Sequence, residues 1–132
     1  MVTDRDYRLL ADCFEAETLD ARGFSHVDHI GVACQILQRY DFLDAARTYC
    51  RALQGIAGKA GAPDKFNLTV TLAFLSLLSE RMASTTHETF GEFMEKNTDL
   101  MSRSVMGNWY SPDRLNSRSA RTVFLMPDRF NA

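Results

Sequence analysis

Two histidines and one aspartate fall within four residues of this chain, and their side chains could carry acid/base or metal chemistry. They are His26, Asp28 and His29. Histidine is the side chain best suited to proton transfer near neutral pH. We therefore expect His26 or His29 to serve as the acid or base and Asp28 to orient the imidazole. These three are the predicted catalytic residues.

The same stretch also has the pattern of a helix N-terminus. Ser25 is a natural N-cap, and Asp28 follows at the third helical position, as in a capping box. An anion there also suits the positive end of the helix dipole. His26 and His29 are three residues apart and share one helical face. The alternative to a site is therefore a capping carboxylate and two histidines that hydrogen-bond to neighbouring turns.

Candidate substrate-binding residues lie further along the chain. Asn67 and Thr71 are four residues apart on one stripe of a strongly apolar segment. A buried asparagine amide needs up to about four partners, so Asn67 is a candidate ligand contact, whereas a threonine can bond to the carbonyl one turn earlier. Tyr110 lies in a later, irregular region. We expect all three to contact a substrate.

The distribution of charge adds two arginines to this set. Residues 1–100 carry 10 Lys+Arg against 15 Asp+Glu, whereas residues 101–132 carry 5 arginines against 2 aspartates. Arg114, Arg118 and Arg121 follow helical spacing. Arginine prefers planar anions such as carboxylate and phosphate. Arg118 and Arg121 are therefore predicted to bind an anionic substrate, and the alternative is that this face docks on the acidic body of the same protein.

Helices must position these side chains, because the apolar spacing is helical along most of the chain. We expect one all-α domain over residues 1–132, a compact bundle of about five to six helices around a central apolar helix at about 64–82. The predicted helices run from a cap at 3 or 4 to about 17, from 25 to 39, from 41 to about 58, from 64 to 82, from a capping box at 85–88, and from 112 to about 124.

Composition and charge limit the partners and the cellular location that we expect for this protein. A net charge of −2 gives no general attraction to nucleic acid or membrane, so we expect neither as a partner. The three cysteines lie in helical apolar patterns and are expected to be buried thiols in a reducing compartment. With no secretory signal and no apolar run of membrane-spanning length, we expect a cytoplasmic protein. A small-molecule ligand is the expected partner, and a homodimer is possible.

Three segments together resemble a family of small bacterial all-helical proteins with a Phe-Ser-His-x-Asp-His motif. The resemblance spans nearly the whole chain and implies one helical domain but no reaction. In that family position 67 is often a histidine, which with His26 and His29 would give three imidazoles for a metal. This chain has Asn67, which puts such a site in doubt and leaves room for an acid/base pocket. The segments are residues 24–29, residues 65–71, and Tyr110-Ser111-Pro112 through Leu115, Ser117, Ala120 and Arg121.

Three functions remain open. The first is a small soluble enzyme that acts on an anionic organic molecule by histidine-centred acid/base chemistry of the lyase, isomerase or cyclase type. The second is a helical protein that binds iron or zinc through His26 and His29, with a third ligand from elsewhere. The third is a non-catalytic module that binds a ligand or a partner protein through Trp109 and Tyr110. The sequence requires no cofactor, although a metal ion is possible.

Overall fold

A computed structural model describes residues 5–129. Within that range the chain forms seven α-helices joined by turns and short 3₁₀ segments, with no strand, so the predicted all-α bundle is confirmed. None of these helices has the length and apolar character needed to cross a bilayer. The helices are α1 (Tyr7–Glu15), α2 (His26–Arg39), α3 (Phe42–Lys59), α4 (Leu68–Ser84), α5 (Phe90–Lys96), α6 (Pro112–Leu115) and α7 (Arg118–Thr122).

The main core forms around α2, which packs against α1, α3 and α4. Five consecutive residues of α2, from Ile30 to Cys34, are buried, and so is Ile36. Phe14 from α1, Tyr49 from α3 and Leu75 from α4 meet them in one apolar cluster. Removing this apolar surface from water is the main stabilising term of the fold. It also fixes the first turns of α2, where the two histidines lie.

The apolar helix α4 joins this core to a second, smaller cluster. Its residues Phe74 and Leu77 pack against both groups of buried side chains, the second being built on Val105, Met106 and Tyr110. The helix begins later than the predicted residue 64, because Pro63–Lys65 forms a 3₁₀ turn and Asn67 is the N-cap. The Asn67 side chain accepts a hydrogen bond from the Val70 N–H at 3.0 Å.

Local capping signals account for most helix starts. Ser25 and Asp28 form the predicted capping box, in which the Ser25 hydroxyl accepts from the Asp28 N–H and the Asp28 carboxylate accepts from the Ser25 N–H. The box predicted at residues 85–88 is wrong. The N-cap of α5 is Thr89, whose hydroxyl accepts from the Glu92 N–H. Asp6 caps α1, and the caps predicted at residues 3 and 4 lie outside the described residues.

The predicted final helix is interrupted. Ser111 and Pro112 start α6 as expected, but Ser117 caps a new helix by accepting from the Ala120 N–H, so α6 and α7 are separate. The single helical face predicted for Arg114, Arg118 and Arg121 is therefore wrong. Serine competes for backbone hydrogen bonds and favours such a break. Arg118 and Arg121 are exposed on α7.

Candidate functional site

His26 and His29 line one cleft of about 440 Å³ between α2, α3, α4 and the loop that precedes Val105, here called the histidine cleft. Thr71, one of the predicted substrate-binding residues, lines the same cleft. Two cationic side chains, Lys65 and Arg103, join them. The remaining lining residues are Phe24, Tyr49, Leu53, Val70, Phe74, Leu75, Val105 and Met106.

The ring of His26 is fixed by the turn that precedes the cleft loop. Its Nε2 lies 2.9 Å from the carbonyl oxygen of Leu100. A carbonyl oxygen only accepts, so Nε2 carries the hydrogen, and Nδ1 of the neutral ring has the lone pair. The turn is itself held in place, because Leu100 is fully buried and Arg81 forms a bidentate ion pair with Asp99 at 2.8 and 2.7 Å.

The ring of His29 has the opposite arrangement. Its Nδ1 lies 3.2 Å from the hydroxyl of Tyr49, which is a buried core residue. This hydroxyl has no other hydrogen-bond partner among residues 5–129, so it donates to Nδ1, since a buried donor left unpaired is costly. The neutral His29 ring then carries its hydrogen on Nε2. His26 thus offers an acceptor and His29 a donor.

Both remaining ring nitrogens are accessible. Within residues 5–129, neither Nδ1 of His26 nor Nε2 of His29 makes a hydrogen bond. In that same part of the chain, no side-chain nitrogen or oxygen is both buried and unpartnered. The two nitrogens therefore keep some exposed surface, and both residues line the cleft. The two rings leave one acceptor and one donor uncommitted on one face of α2.

Burial keeps His29 neutral. Burial lowers the pKa of His29 to about 4, with smaller contributions in the same direction from His26 and Arg103 and an opposing one from Asp28. The ring of Phe24 covers the imidazole at a centroid distance of 4.2 Å. Burial also raises the pKa of Tyr49 well above its usual value, so the hydroxyl stays protonated and remains a donor.

Asp28 lies outside the cleft and serves the fold. Its carboxylate accepts from the Tyr7 hydroxyl at 3.0 Å, from the Ser25 N–H at 3.0 Å and from the guanidinium of Arg5. The side chain is only 3% exposed, and each oxygen has a donor. No imidazole is among its hydrogen-bond partners in the described chain. The role predicted for Asp28, orienting a histidine, has no counterpart in this geometry.

The other predicted binding residues are not gathered at the histidine cleft. The Asn67 amide donates to the Leu115 carbonyl at 2.8 Å, and its oxygen caps α4, so both ends of the side chain are used. Tyr110 lines a second cleft, which shares Met106 with the histidine cleft, and its hydroxyl donates to the Leu125 carbonyl at 2.8 Å. Arg118 and Arg121 are not among the lining residues either.

Three residues of the cleft were missed as functional candidates. Tyr49 fits the apolar spacing of α3, and that spacing by itself indicates only a core position. Arg103 stood out only as one of five C-terminal arginines, and nothing in the spacing joins it to Lys65, 38 positions earlier. Their meeting depends on how the loop after Leu100 folds over α4. The excess of arginine near the C-terminus is the one sequence feature that singles out the segment containing Arg103.

Metal ligands are not gathered anywhere in the described part of the chain. No three His, Cys, Asp or Glu side chains within residues 5–129 come together to form a potential metal site. The two histidines of the cleft therefore lack a third ligand of these types there. Cys13, Cys34 and Cys50 are free thiols.

Comparison with protein-family models, with curated proteins and with solved structures finds no match to this chain. The function is therefore inferred from the geometry of the histidine cleft.

Proposed function

We propose that this protein is a small enzyme that performs acid/base chemistry on an anionic organic molecule in the histidine cleft. The observation that carries the proposal is the complementary state of the two rings. His26 presents a lone pair at Nδ1 and His29 a hydrogen at Nε2, and both line one cleft with two cations. A general base and a hydrogen-bond donor at one substrate are the minimum that enolisation of a carbonyl compound needs.

The proposed reaction begins with removal of a proton from a carbon next to a carbonyl group. Nδ1 of His26 takes the proton, and the electron pair of the C–H bond moves to the carbonyl oxygen. Nε2–H of His29 donates to that oxygen as its negative charge develops. A neutral imidazole suits this role, because it stabilises the oxyanion without giving up its proton. The low pKa of His29 supports this assignment.

The second half of the reaction distinguishes an isomerase from a lyase. Where the first carbon bears a hydroxyl group, the protonated His26 can return its proton to the carbon of the original carbonyl group. The hydroxyl proton passes to the original carbonyl oxygen, a new carbonyl group forms at the first carbon, and the isomerisation is complete. Alternatively, the protonated His26 can protonate a hydroxyl on the β-carbon, which leaves as water and completes an elimination. Both routes restore the starting state of the two rings and consume no cofactor. Lys65 and Arg103 would hold the anionic group of the substrate, in place of Arg118 and Arg121.

The metal-binding alternative has less support, because the described residues gather no third ligand beside His26 and His29. The alternative of a binding module at Trp109 and Tyr110 also has less support, since Tyr110 is only 1% exposed and Trp109 is half-buried. A cytoplasmic location stays a proposal, supported by three free thiols, which are typical of a reducing compartment.

Solvent exchange tests the proposal without a known substrate. The protein is incubated in D₂O with a panel of 2-oxo, 2-hydroxy and 3-hydroxy carboxylic acids, and proton NMR follows deuterium incorporation and loss of water. We expect exchange or elimination in at least one compound, slowed about 100-fold or more in His26→Gln. His87→Gln is the matched control and should keep the parent rate, because His87 lies outside the cleft.

Two outcomes would overturn the proposal. One is that no compound of the panel exchanges or eliminates, and the other is that His26→Gln reacts at the parent rate. Elemental analysis of the purified protein tests the metal alternative in parallel. One equivalent of iron or zinc in the parent that is lost in the His26→Ala, His29→Ala double variant would favour a metal site instead.

A further inference from the structure

Apolar, histidine and cationic side chains together line the histidine cleft, and this combination restricts the ligands that it can bind. Most of its lining side chains are apolar, and its uncommitted polar groups are one nitrogen of each histidine and the two cationic groups. The Tyr49 hydroxyl is used by His29, and the Thr71 hydroxyl donates to the Asn67 carbonyl at 2.7 Å. Sugars and other polyols would leave hydroxyl groups unpaired against such walls, which is costly. The apolar lining residues are Phe24, Leu53, Val70, Phe74, Leu75, Val105 and Met106.

The charged residues of the cleft are all positive. Lys65 comes from the 3₁₀ turn before α4 and Arg103 from the loop after Leu100, so two separate segments bring a cation to one cleft. Both side chains are exposed, and neither forms an ion pair or a side-chain hydrogen bond within residues 5–129. No aspartate or glutamate is among the lining residues. The cleft therefore favours an anion over a cation.

Arg103 and His29 line the same cleft, so an anion held at Arg103 lies in the same space that the imidazole faces. The positive charge of Arg103 also makes a small contribution to the lowered pKa of His29. With a volume of about 440 Å³, the cleft falls within the range of small-molecule pockets, about 300–1,000 Å³, and is too small for a folded partner.

We infer that the substrate class of the histidine cleft is the amphipathic organic acids. The apolar body lies against Phe24 and Phe74, and the carboxylate lies against Lys65 and Arg103. The inference rests on the proposed function, because it names the substrate class of the same site. It excludes polyols, amines and free inorganic anions as preferred ligands. A guanidinium binds a carboxylate in a bidentate manner, and an aromatic wall gives an apolar body its contact area.

Equilibrium binding of simple probes tests the inference. The probes are 3-phenylpropanoate, the neutral 3-phenylpropan-1-ol, acetate and inorganic phosphate, each titrated against the protein and followed by amide chemical shifts in NMR. We expect 3-phenylpropanoate to bind about tenfold or more tightly than the other three, because only it satisfies both the apolar walls and the cations. The shifted amides should belong to residues around the cleft.

Two double variants test whether binding depends on Lys65 and Arg103. We expect the Lys65→Gln, Arg103→Gln double variant to lose about tenfold or more in affinity for 3-phenylpropanoate. The matched control is Arg118→Gln, Arg121→Gln, which removes the same net charge from α7 and should leave affinity unchanged. Equal binding of the alcohol and the acid would overturn the inference. An equal loss in both double variants, or phosphate binding as tightly as the acid, would also overturn it.

The binding test and the test of the proposed acid/base chemistry can give different outcomes, so either proposal can be rejected alone. The binding experiment needs no turnover, and His87→Gln, which changes a histidine outside the cleft, should bind 3-phenylpropanoate as the parent does. Tight, variant-sensitive binding with no exchange in the D₂O panel would support the ligand class and reject the acid/base enzyme. Exchange confined to small hydrophilic acids, with no binding of 3-phenylpropanoate, would do the reverse.

Discussion

The hydroxyl of Tyr49 and Nδ1 of His29 lie 3.2 Å apart and join α3 to α2 at the histidine cleft. This one contact sets which nitrogen of the neutral His29 ring carries the hydrogen. Tyr49 is itself fixed by the ring of Phe14 at a centroid distance of 4.9 Å. The donor of the proposed site is therefore preorganised by the apolar core of the protein.

Tyr49→Phe should remove the hydrogen bond that selects the tautomer of His29 while leaving the fold intact. Nδ1 loses its donor, so we expect the Nδ1–H form to gain population in nitrogen-15 NMR of the imidazole. The free energy of unfolding should fall by about 1–2 kcal/mol, because a buried acceptor is left unpaired. Tyr40→Phe removes an exposed hydroxyl bonded to Glu15 and should change stability by less than about 0.5 kcal/mol. An unchanged tautomer ratio in Tyr49→Phe would refute the assignment.

Stability should fall in acid because His29 resists protonation. Burial lowers its pKa in the folded protein from 6.5 to about 4, so the unfolded chain binds the proton more readily. The contribution of His29 is fully present above pH 6.5, declines as pH falls from 6.5 to about 4, and is then lost, a change of about 3 kcal/mol. Urea unfolding at pH 7, 5.5 and 4 measures it. In His29→Gln the slope over this window should shrink, and an equal slope in both proteins would contradict the prediction.

The start of α2 could be predicted from sequence because its determinants are local. Ser25 and Asp28 satisfy each other across one helical turn, and the spacing of His26 and His29 places them on one face. These relations depend on the geometry of a single helix. The same holds for Asp41, which caps α3 as its sequence predicts.

The cations of the cleft could not be predicted in the same way. Lys65 and Arg103 meet only because the chain after α5 folds back across α4, and no spacing rule links them. The helical repeat pointed instead to Arg114, Arg118 and Arg121, where Ser117 ends that repeat by capping a new helix. A local capping preference thus overrode a periodicity of charge. Ser117 itself was the signal, since serine is a frequent N-cap.

Asp28→Asn distinguishes a structural aspartate from a catalytic one. The change removes the charge that Arg5 neutralises and weakens the hydrogen bond from the Tyr7 hydroxyl. In the parent protein, burial and the hydrogen bond to Asp28 raise the pKa of Tyr7 to about 12. We expect a loss of about 2–3 kcal/mol, below the full cost of breaking a buried ion pair, because Arg5 is partly exposed and can be solvated. Chemical denaturation measures the loss.

The control for Asp28→Asn is Asp44→Asn in α3. Asp44 also lies in the first turn of a helix, but its side chain is exposed, so the change should cost about 0.5 kcal/mol or less. Binding of 3-phenylpropanoate should be the same in Asp28→Asn as in the parent at a temperature where both are folded. A folded variant that loses tenfold in affinity would instead give Asp28 a role in the cleft.

Gly31 allows α1 to approach α2, and adding one methyl group there should destabilise the protein. A Cβ at this position would lie 2.6 Å from Cδ1 and Cε1 of the Tyr7 ring. That ring is held by Asp28 and by an edge contact with Phe90 at 4.9 Å, so it cannot swing aside freely. Alanine favours a helix over glycine by about 1 kcal/mol, whereas overpacking costs about 1–3 kcal/mol.

The balance of these two terms predicts that alanine changes the free energy of unfolding in opposite directions at two helical glycines. Gly31→Ala should lower the free energy of unfolding by about 1 kcal/mol, since the clash exceeds the gain in propensity. Gly58→Ala, in α3, meets nothing within 4 Å and should raise it by a few tenths of a kcal/mol to about 1 kcal/mol. Urea denaturation of the two variants beside the parent tests the pair. Stabilisation by both would mean that Tyr7 can move, and that its contact with Asp28 does not fix the position of α1 against α2.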